Sequence, residues 1–248
     1  MKFSIICLVL IGAASAGFSA KGKAAIVKVH NDLRSSIANG TYVAKGTRQP
    51  AASDMLKMSW DDTIAQCAQT FVDSCPDGHS KFDGYGENMY FAWASDEKAS
   101  LDPYGVNASK AWEKEFQEKG WLSRTLTKAV YDSGIGHASQ MVWSKSNLIG
   151  CGVKNCGVDP KNGFTKYTVV CQYMNPGNYI DQKIYVEGKT CSACPSSSSC
   201  ENSTGLCTGY QSSKERVPIS KCVRNVSVRG LAHYTFFPIF FWSFRFLQ

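Results

Sequence analysis

The sequence predicts one main domain of mixed helix and strand, followed by a small appendage held by disulfides. Three observations carry this. Apolar residues recur at helical spacing through the first half of the chain. Two β-like runs, "LIGCGVKNC" and "FTKYTVVCQY", flank the turn-forming stretch "GVDPKNG". After about residue 188 the composition changes to "CSACPSSSSCENSTGLC", which has four cysteines and almost no large apolar residue, so it cannot build a core of its own. At 248 residues, 44% hydrophobic and 19% charged, the chain is long enough for one well-buried core.

Residues 1–16 read as a secretory leader: Lys2, the apolar run "FSIICLVLIGA" and the small residues "ASA" predict cleavage after Ala16, with Ala20 as a second site. The run is too short to span a bilayer comfortably. A first helix is predicted over 21–39, where Ile26, Val29, His30, Leu33 and Ile37 share a stripe and Asn39-Gly40 makes a stop. "SWDDTIAQCAQTFVDSC" is a second, with Ser59 as its cap, Asp62 three residues on, and Ile64, Cys67, Ala68, Phe71 and Cys75 on one face. A third spans about 107–119 and a short fourth starts near His137. In the β-like pair, Cys151 and Cys171 are equally far from Lys161, so an antiparallel hairpin of that register places them opposite each other. The tail "YTFFPIFFWSFRFLQ" (234–248) is apolar and aromatic but broken by Pro238 and Arg245. It reads either as a removed lipid-anchor signal or as a carboxyl end that packs poorly.

Loss of the leader removes Cys7 and leaves ten of eleven cysteines, enough for five disulfides in an oxidising, extracellular compartment. Sequons at Asn39, Asn107, Asn202 and Asn225 are compatible with that route. The Cys191-x-x-Cys194 pair reads as structural disulfide rather than zinc or redox chemistry there. The net charge of +7 falls to +6 without the leader, with basic residues dispersed and no nucleic-acid motif beside them. A solvated surface is expected, with no nucleic-acid partner and with membrane-surface contact through the basic, aromatic tail.

Four polar residues are candidates for chemistry. Glu115 lies on the helical face of Ala108, Ala111, Trp112 and Lys119, and a carboxylate turned toward a core needs a partner. Glu87 sits among aromatics in "YGENMY", and His79 and His137 each follow a glycine. Two histidines and two glutamates converging in a cleft fit a divalent ion such as zinc. They fit a neutral hydrogen-bonded knot between helices equally well. The chain has no Gly-x-Ser-x-Gly elbow and no His-Glu-x-x-His helix, and Ser80 and Ser139 have no evident oxyanion hole.

Taken together, "HNDLR" (30–34), "CPDGHS" (75–80), "YGENMY" (85–90), "AWEKEF" (111–116) and "GHASQMVW" (136–143) resemble the CAP superfamily, which comprises cysteine-rich secretory, antigen 5 and pathogenesis-related proteins. "VVCQYMNPGNYI" (169–180) is similar to the family's second signature, and the nearest branch is the nematode venom-allergen-like one. The resemblance implies an α+β fold: a three-layer α-β-α sandwich with a central antiparallel sheet over 22–185, a small disulfide-rich hinge over 186–222, and a tail, 223–248, of unclear status. It implies a central cavity with His79, Glu87, Glu115 and His137 as metal ligands, zinc or another divalent cation being optional rather than required. It implies pairs Cys75–Cys156, Cys191–Cys200 and Cys194–Cys207, which with Cys151–Cys171 leave Cys67 for Cys222. It also implies a sterol-binding loop near 89–104, with Tyr90, Phe91, Trp93 and Tyr104 as candidates against plain packing. The function so implied is a secreted, non-enzymatic binding protein for a sterol, a fatty acid or an extracellular receptor. A metal-dependent hydrolase in the same cleft, and a signalling or immune-modulating ligand with a vestigial cleft, are the alternatives.

Overall fold

A computed structural model of the chain describes residues 17–210, apart from 81, 83, 96 and 98, together with Cys222. The leader, the sequon at Asn225 and the aromatic tail lie outside the described residues. In chain order the elements are α1 (Ala20–Ala38), β1 (Val43–Ala44), β2 (Thr47–Arg48), β3 (Ser59–Trp60), α2 (Asp62–Val72), β4 (Gly86–Ala94), α3 (Asp102–Lys119), α4 (Lys128–Asp132), α5 (Gly136–Met141), β5 (Leu148–Val158), β6 (Thr165–Met174), β7 (Ser199–Glu201) and β8 (Leu206–Thr208).

The central sheet has the order β3-β5-β6-β4. β5, β6 and β4 pair antiparallel, and only the two-residue edge β3 runs parallel to its neighbour. Strand β6 is buried on both faces, as a middle layer requires. Its Tyr167, Val169, Cys171 and Tyr173 join the core shared with α1 and α3, whereas Val170 packs with Ala68, Val72 and Met89 toward α2. The glycines of "LIGCGV" follow from this layering. A Cβ on Gly150 would lie 2.0 Å from Ala65 N, and one on Gly152 would lie 2.5 Å from Gln69 Cα, so α2 rests directly on the β5 backbone.

Several local readings change. Ser59 belongs to β3, and Asp61 caps α2 instead, its carboxylate accepting from Ile64 N at 3.0 Å. Cys75 lies past the end of α2, at φ 50°. Helix α3 starts at Asp102, with Pro103 in its first turn, where the missing N–H costs nothing. The segment 89–104 comprises the end of strand β4, a connection over 95–101 and the start of α3. Tyr104 is 7% exposed and stacks on Tyr167 at 4.2 Å, so it is core rather than ligand loop. Helix α4 had no counterpart in the sequence reading.

Five disulfides join Cys67–Cys222, Cys75–Cys156, Cys151–Cys171, Cys191–Cys200 and Cys194–Cys207. Cys151 and Cys171 face each other in the β5–β6 register. The hairpin β7–β8 is docked on the sandwich: Leu206 is fully buried in the main core, and Cys207 exchanges backbone bonds with Met55 and Lys57. Among the described residues, no helix is long and apolar enough to cross a membrane.

One buried cation organises the α1 side. Arg34 is fully buried and donates to five backbone carbonyls: Leu56 O (2.8 and 2.6 Å), Met141 O (3.0 Å), Trp143 O (2.9 Å), Ser144 O (3.0 Å) and Ser146 O (2.9 Å). Burial lowers its pKa to about 9, against the pull of Asp54, and leaves it charged at neutral pH. Arg34→Lys keeps the charge but loses the planar fork, so thermal unfolding should show a loss of about 3 kcal/mol or more. An unchanged melting transition would remove Arg34 from this role. Non-reducing peptide mapping should return the Cys67–Cys222 bridge. Its loop of 155 residues is worth about 5 kcal/mol on the chain-entropy model, so a Cys67→Ser/Cys222→Ser variant should unfold at clearly lower denaturant.

Candidate functional site

The four candidate residues line one cavity of about 250 Å³, together with Asn88, Tyr131, Gly134, Gly136 and Asn178. They reach it from different layers. Glu87 and Asn88 are neighbours at the start of β4, so their side chains leave opposite faces of the sheet. Glu87 faces the α2 side, where the loop after α2 supplies His79 and Ser80. Asn88 faces the other side, where α3 supplies Glu115 and α5 supplies His137. The cleft therefore opens at the outer edge of the sheet, where the two helical layers meet.

Each histidine is held by a glutamate through Nδ1. Glu115 Oε1 lies 2.6 Å from His137 Nδ1, and Glu115 Oε2 accepts from the backbone N–H of His137 and Ala138, both at 3.0 Å. Helix α5 has no side-chain cap of its own. Glu115 thus caps it from α3, placing a negative charge at a helix N-terminus. The indole of Trp112 lies parallel to the His137 ring, with 6.1 Å between centroids, and its Nε1 donates to Met89 O at 3.0 Å.

On the other side, Glu87 Oε1 lies 2.9 Å from His79 Nδ1 and accepts from Ser80 N at 2.8 Å. Its Oε2 accepts from Ser80 Oγ at 2.7 Å and from Gln172 Nε2 at 3.0 Å. Burial pushes the Glu87 carboxyl up, but the bonds from His79, Gln172 and Ser80 outweigh it and hold the group below its usual value of 4.5. The same bond to Glu87 raises His79 above 6.5, against partial desolvation. The His79 side chain is 58% exposed and that of His137 36%, so both rings are reachable from solvent.

Asn88 Nδ2 donates to His137 O at 3.0 Å and to Tyr173 Oη at 3.3 Å. Behind it, the fully buried His30 has Nδ1 2.9 Å from Ile26 O and Nε2 2.9 Å from Tyr173 Oη. Nδ1 must be the donor there, since a carbonyl only accepts, so Nε2 accepts from the tyrosine. Burial lowers the pKa of His30 to about 4, which keeps it neutral. Gln140 completes the support: Oε1 accepts from Gly177 N at 2.9 Å and Nε2 donates to Ser146 Oγ at 3.1 Å. A Cβ on Gly86 would come within 2.2 Å of that Oε1, so the glycine of "YGENMY" is required by close approach.

The sequence pattern brings all four residues to one place, but their pairing differs from a four-ligand set. Both carboxylates are spent on hydrogen bonds, and each leaves its histidine's Nε2 outside the pairing. Among the described residues, no three of the four have ligand atoms within 4.8 Å of one another. The one such group is Cys191, Cys194 and Cys207, whose sulfurs are bound in disulfides and are not thiolates. The aromatic candidates do not assemble: Tyr104 is core, Tyr90 and Phe91 leave opposite faces of β4, and Trp93 is exposed at the far end of the strand. Asn88, Gln172 and Asn178 were missed by the sequence reading. All three lie in or beside its quoted stretches, but nothing in residue type set them apart.

The model of the CAP family, described as the cysteine-rich secretory protein family, matches residues 27–173. The chain belongs to this family. It is 33% identical to peptidase inhibitor 16 of Mus musculus over 186 residues, covering 73% of this chain and 33% of the relative. It is 35% identical to the Ancylostoma secreted protein of Ancylostoma caninum over 195 residues, covering 73% and 43%. The chain therefore spans less than half the length of these two relatives. Among solved structures, the crystal structure of NaASP2 with Zn2+ matches with a TM-score of 0.69 and 33% identity, covering 77% of this chain and 97% of that one.

His79 and Glu87 are ionised together between Glu87's value below 4.5 and His79's value above 6.5. The stabilisation from that pair is lost as pH falls through the first or rises through the second. NMR titration should therefore find the His79 ring titrating above 6.5, and Glu87→Gln should bring it back to 6.5 or below. A His79 midpoint that Glu87→Gln leaves unmoved would contradict the pairing.

Proposed function

We propose that this is a secreted, extracellular binding protein whose cleft holds a divalent cation such as zinc through Nε2 of His79 and His137, and that it is not an enzyme. The observation that carries the reading is the engagement of both Nδ1 atoms by glutamates. A metal-ligating histidine commonly donates its second ring N–H to a carboxylate, which fixes the tautomer and strengthens the ligand. Two imidazoles suit zinc. Glu87 and Glu115 act through the histidines instead of binding the ion. The related NaASP2 has been solved with Zn2+, which supports the choice of metal. When bound, the ion supplies an electrophilic anchor for a donor atom of a partner.

The hydroxyls favour binding over catalysis. Ser80 Oγ donates to Glu87, and Ser139 Oγ donates to Asn178 Oδ1 at 2.7 Å, so neither is presented to an imidazole base. The partner we propose is a lipid, sterol or fatty acid, or an extracellular receptor. For a lipid, the dispersed aromatics of β4 are replaced by a cavity of about 420 Å³ whose apolar lining is Leu56, Trp143, Pro176, Tyr179 and Pro195, with Asp54 and Lys145 also in its wall.

Calorimetric titration with zinc at neutral pH should show one site that is lost in His79→Ala and in His137→Ala. Glu87→Gln should weaken it by about 10–100-fold. Protons compete for the same ring nitrogens, and His79 titrates above 6.5, so affinity should already be falling before the pH reaches 6.5. Zinc binding that survives the double histidine variant would place the ion elsewhere. Turnover of a peptide or ester substrate that needs the two histidines would overturn the non-enzymatic half.

A further inference from the structure

Strands β4 and β6 run on past the end of α2, and the sheet face beyond it borders a second cavity. Helix α2 lies over β5 from Gly150 to Gly152, stops at Val72, and is tied down by the Cys75–Cys156 bridge. Beyond it the same face carries Phe91 and Trp93 from β4 and Lys166 from β6, which is paired in register with Trp93. The loop after α2 and the β5–β6 turn wall this shelf into a cavity of about 640 Å³. It shares no lining residue with the histidine cleft.

Three features narrow what the shelf can hold. The first is a fixed aromatic platform. Trp93 is 47% exposed, yet its Nε1 donates to Asp159 Oδ2 at 2.9 Å, and Asp159 Oδ1 is itself fixed by Lys161 N at 3.0 Å. An exposed indole pinned by its edge presents its ring face without a further ordering cost. The second is charge balance. Among the described residues, the charged lining is Asp77 and Asp159 against Lys161 and Lys166. Lys166 Nζ lies 2.6 Å from Asp77 and 4.8 Å from the centre of the Phe91 ring. An anionic lipid surface or an acidic peptide needs an excess of cations, and this shelf has none. The third is the polar rim, in which carboxylate acceptors and ammonium donors stand directly beside the rings. A fatty acid chain would desolvate that rim without satisfying it.

A neutral, hydroxyl-rich ring with one C–H face meets all three demands. We propose that the shelf is a carbohydrate-binding subsite, in which a pyranose lies on the Trp93 indole and its hydroxyls bond to Asp77, Asp159 and Lys161. This goes beyond the metal-cleft reading and does not depend on it.

The test follows the Trp93 indole N–H by NMR in the full-length secreted protein, with its signal assigned by Trp93→Phe. Methyl α-mannopyranoside, N,N′-diacetylchitobiose and lactose are titrated in turn. At least one should move the signal saturably at about 1–10 mM, as expected for a shallow, solvent-facing site. Trp93→Ala should weaken that sugar more than tenfold, read on the neighbouring backbone amides. Asp159→Ala, which keeps the indole but removes both its edge anchor and one hydroxyl partner, should weaken it about fivefold, with the rest of the amide spectrum confirming the fold. The proposal is overturned if no sugar moves the signal. It is equally overturned if binding survives Trp93→Ala, or if phosphatidylserine vesicles move the signal and the sugars do not.

Discussion

The buried guanidinium of Arg34 is the constraint on which the cleft side of the molecule depends. The end of α5 and the chain after it turn the carbonyls of Met141, Trp143, Ser144 and Ser146 toward it in a region that excludes water, those of Trp143 and Ser144 also accepting from Ser146 N and Leu56 N. Each buried carbonyl has two lone pairs to satisfy, and five N–H donors in one plane fill several of them at once. The expense of burying a charge is offset because every donor is used. Arg34 also holds Leu56, so α1 clamps two segments far apart in sequence. One turn earlier on α1, His30 begins the chain through Tyr173 and Asn88 that reaches the His137 carbonyl. The two ends of "HNDLR" thus support the cleft by separate routes.

Helix α5 shows why such external support is needed. Six residues are too few to form a stable helix alone, and it carries no side-chain cap. Its N-terminus is closed by Glu115 from α3, and the chain leaving its C-terminus is closed by Arg34 from α1. Each group carries the charge that the adjacent end of the helix dipole favours. The position of His137 is therefore a consequence of two other helices.

Much of the fold was legible because its signals were local. The stripes of α1 and α2 and the symmetric spacing of Cys151 and Cys171 depend on periodicity and turn chemistry alone. Strand β4 was not legible, and its environment explains why. Its first residues border the cleft, its middle packs on α2, and its end carries the exposed Trp93, so no two-residue alternation of polar and apolar survives in "GENMYFAWA". The cap of α2 was misplaced by two residues because Ser59 and Asp61 are both good cap types, and the pairing of β3 with distant β5 decides between them. At the site, residue types and positions were visible in the motifs. The engagement of each histidine by a glutamate through Nδ1 depends on contacts between α3 and α5 and between β4 and the loop after α2. No spacing along the chain encodes it.

The two glutamates answer one physical demand in different ways. Glu87 has a 7% exposed side chain and keeps its charge because four donors converge on it. Glu115 is less buried and is held by the N-terminus of a helix that would lack a cap without it. In both cases the bonds that orient a histidine are inseparable from those that hold the local fold. Substituting either carboxylate therefore disturbs the local architecture together with the orientation of its histidine. Among the described residues no hydrogen bond holds either imidazole Nε2, so the histidines are the members of the cleft least tied to its architecture.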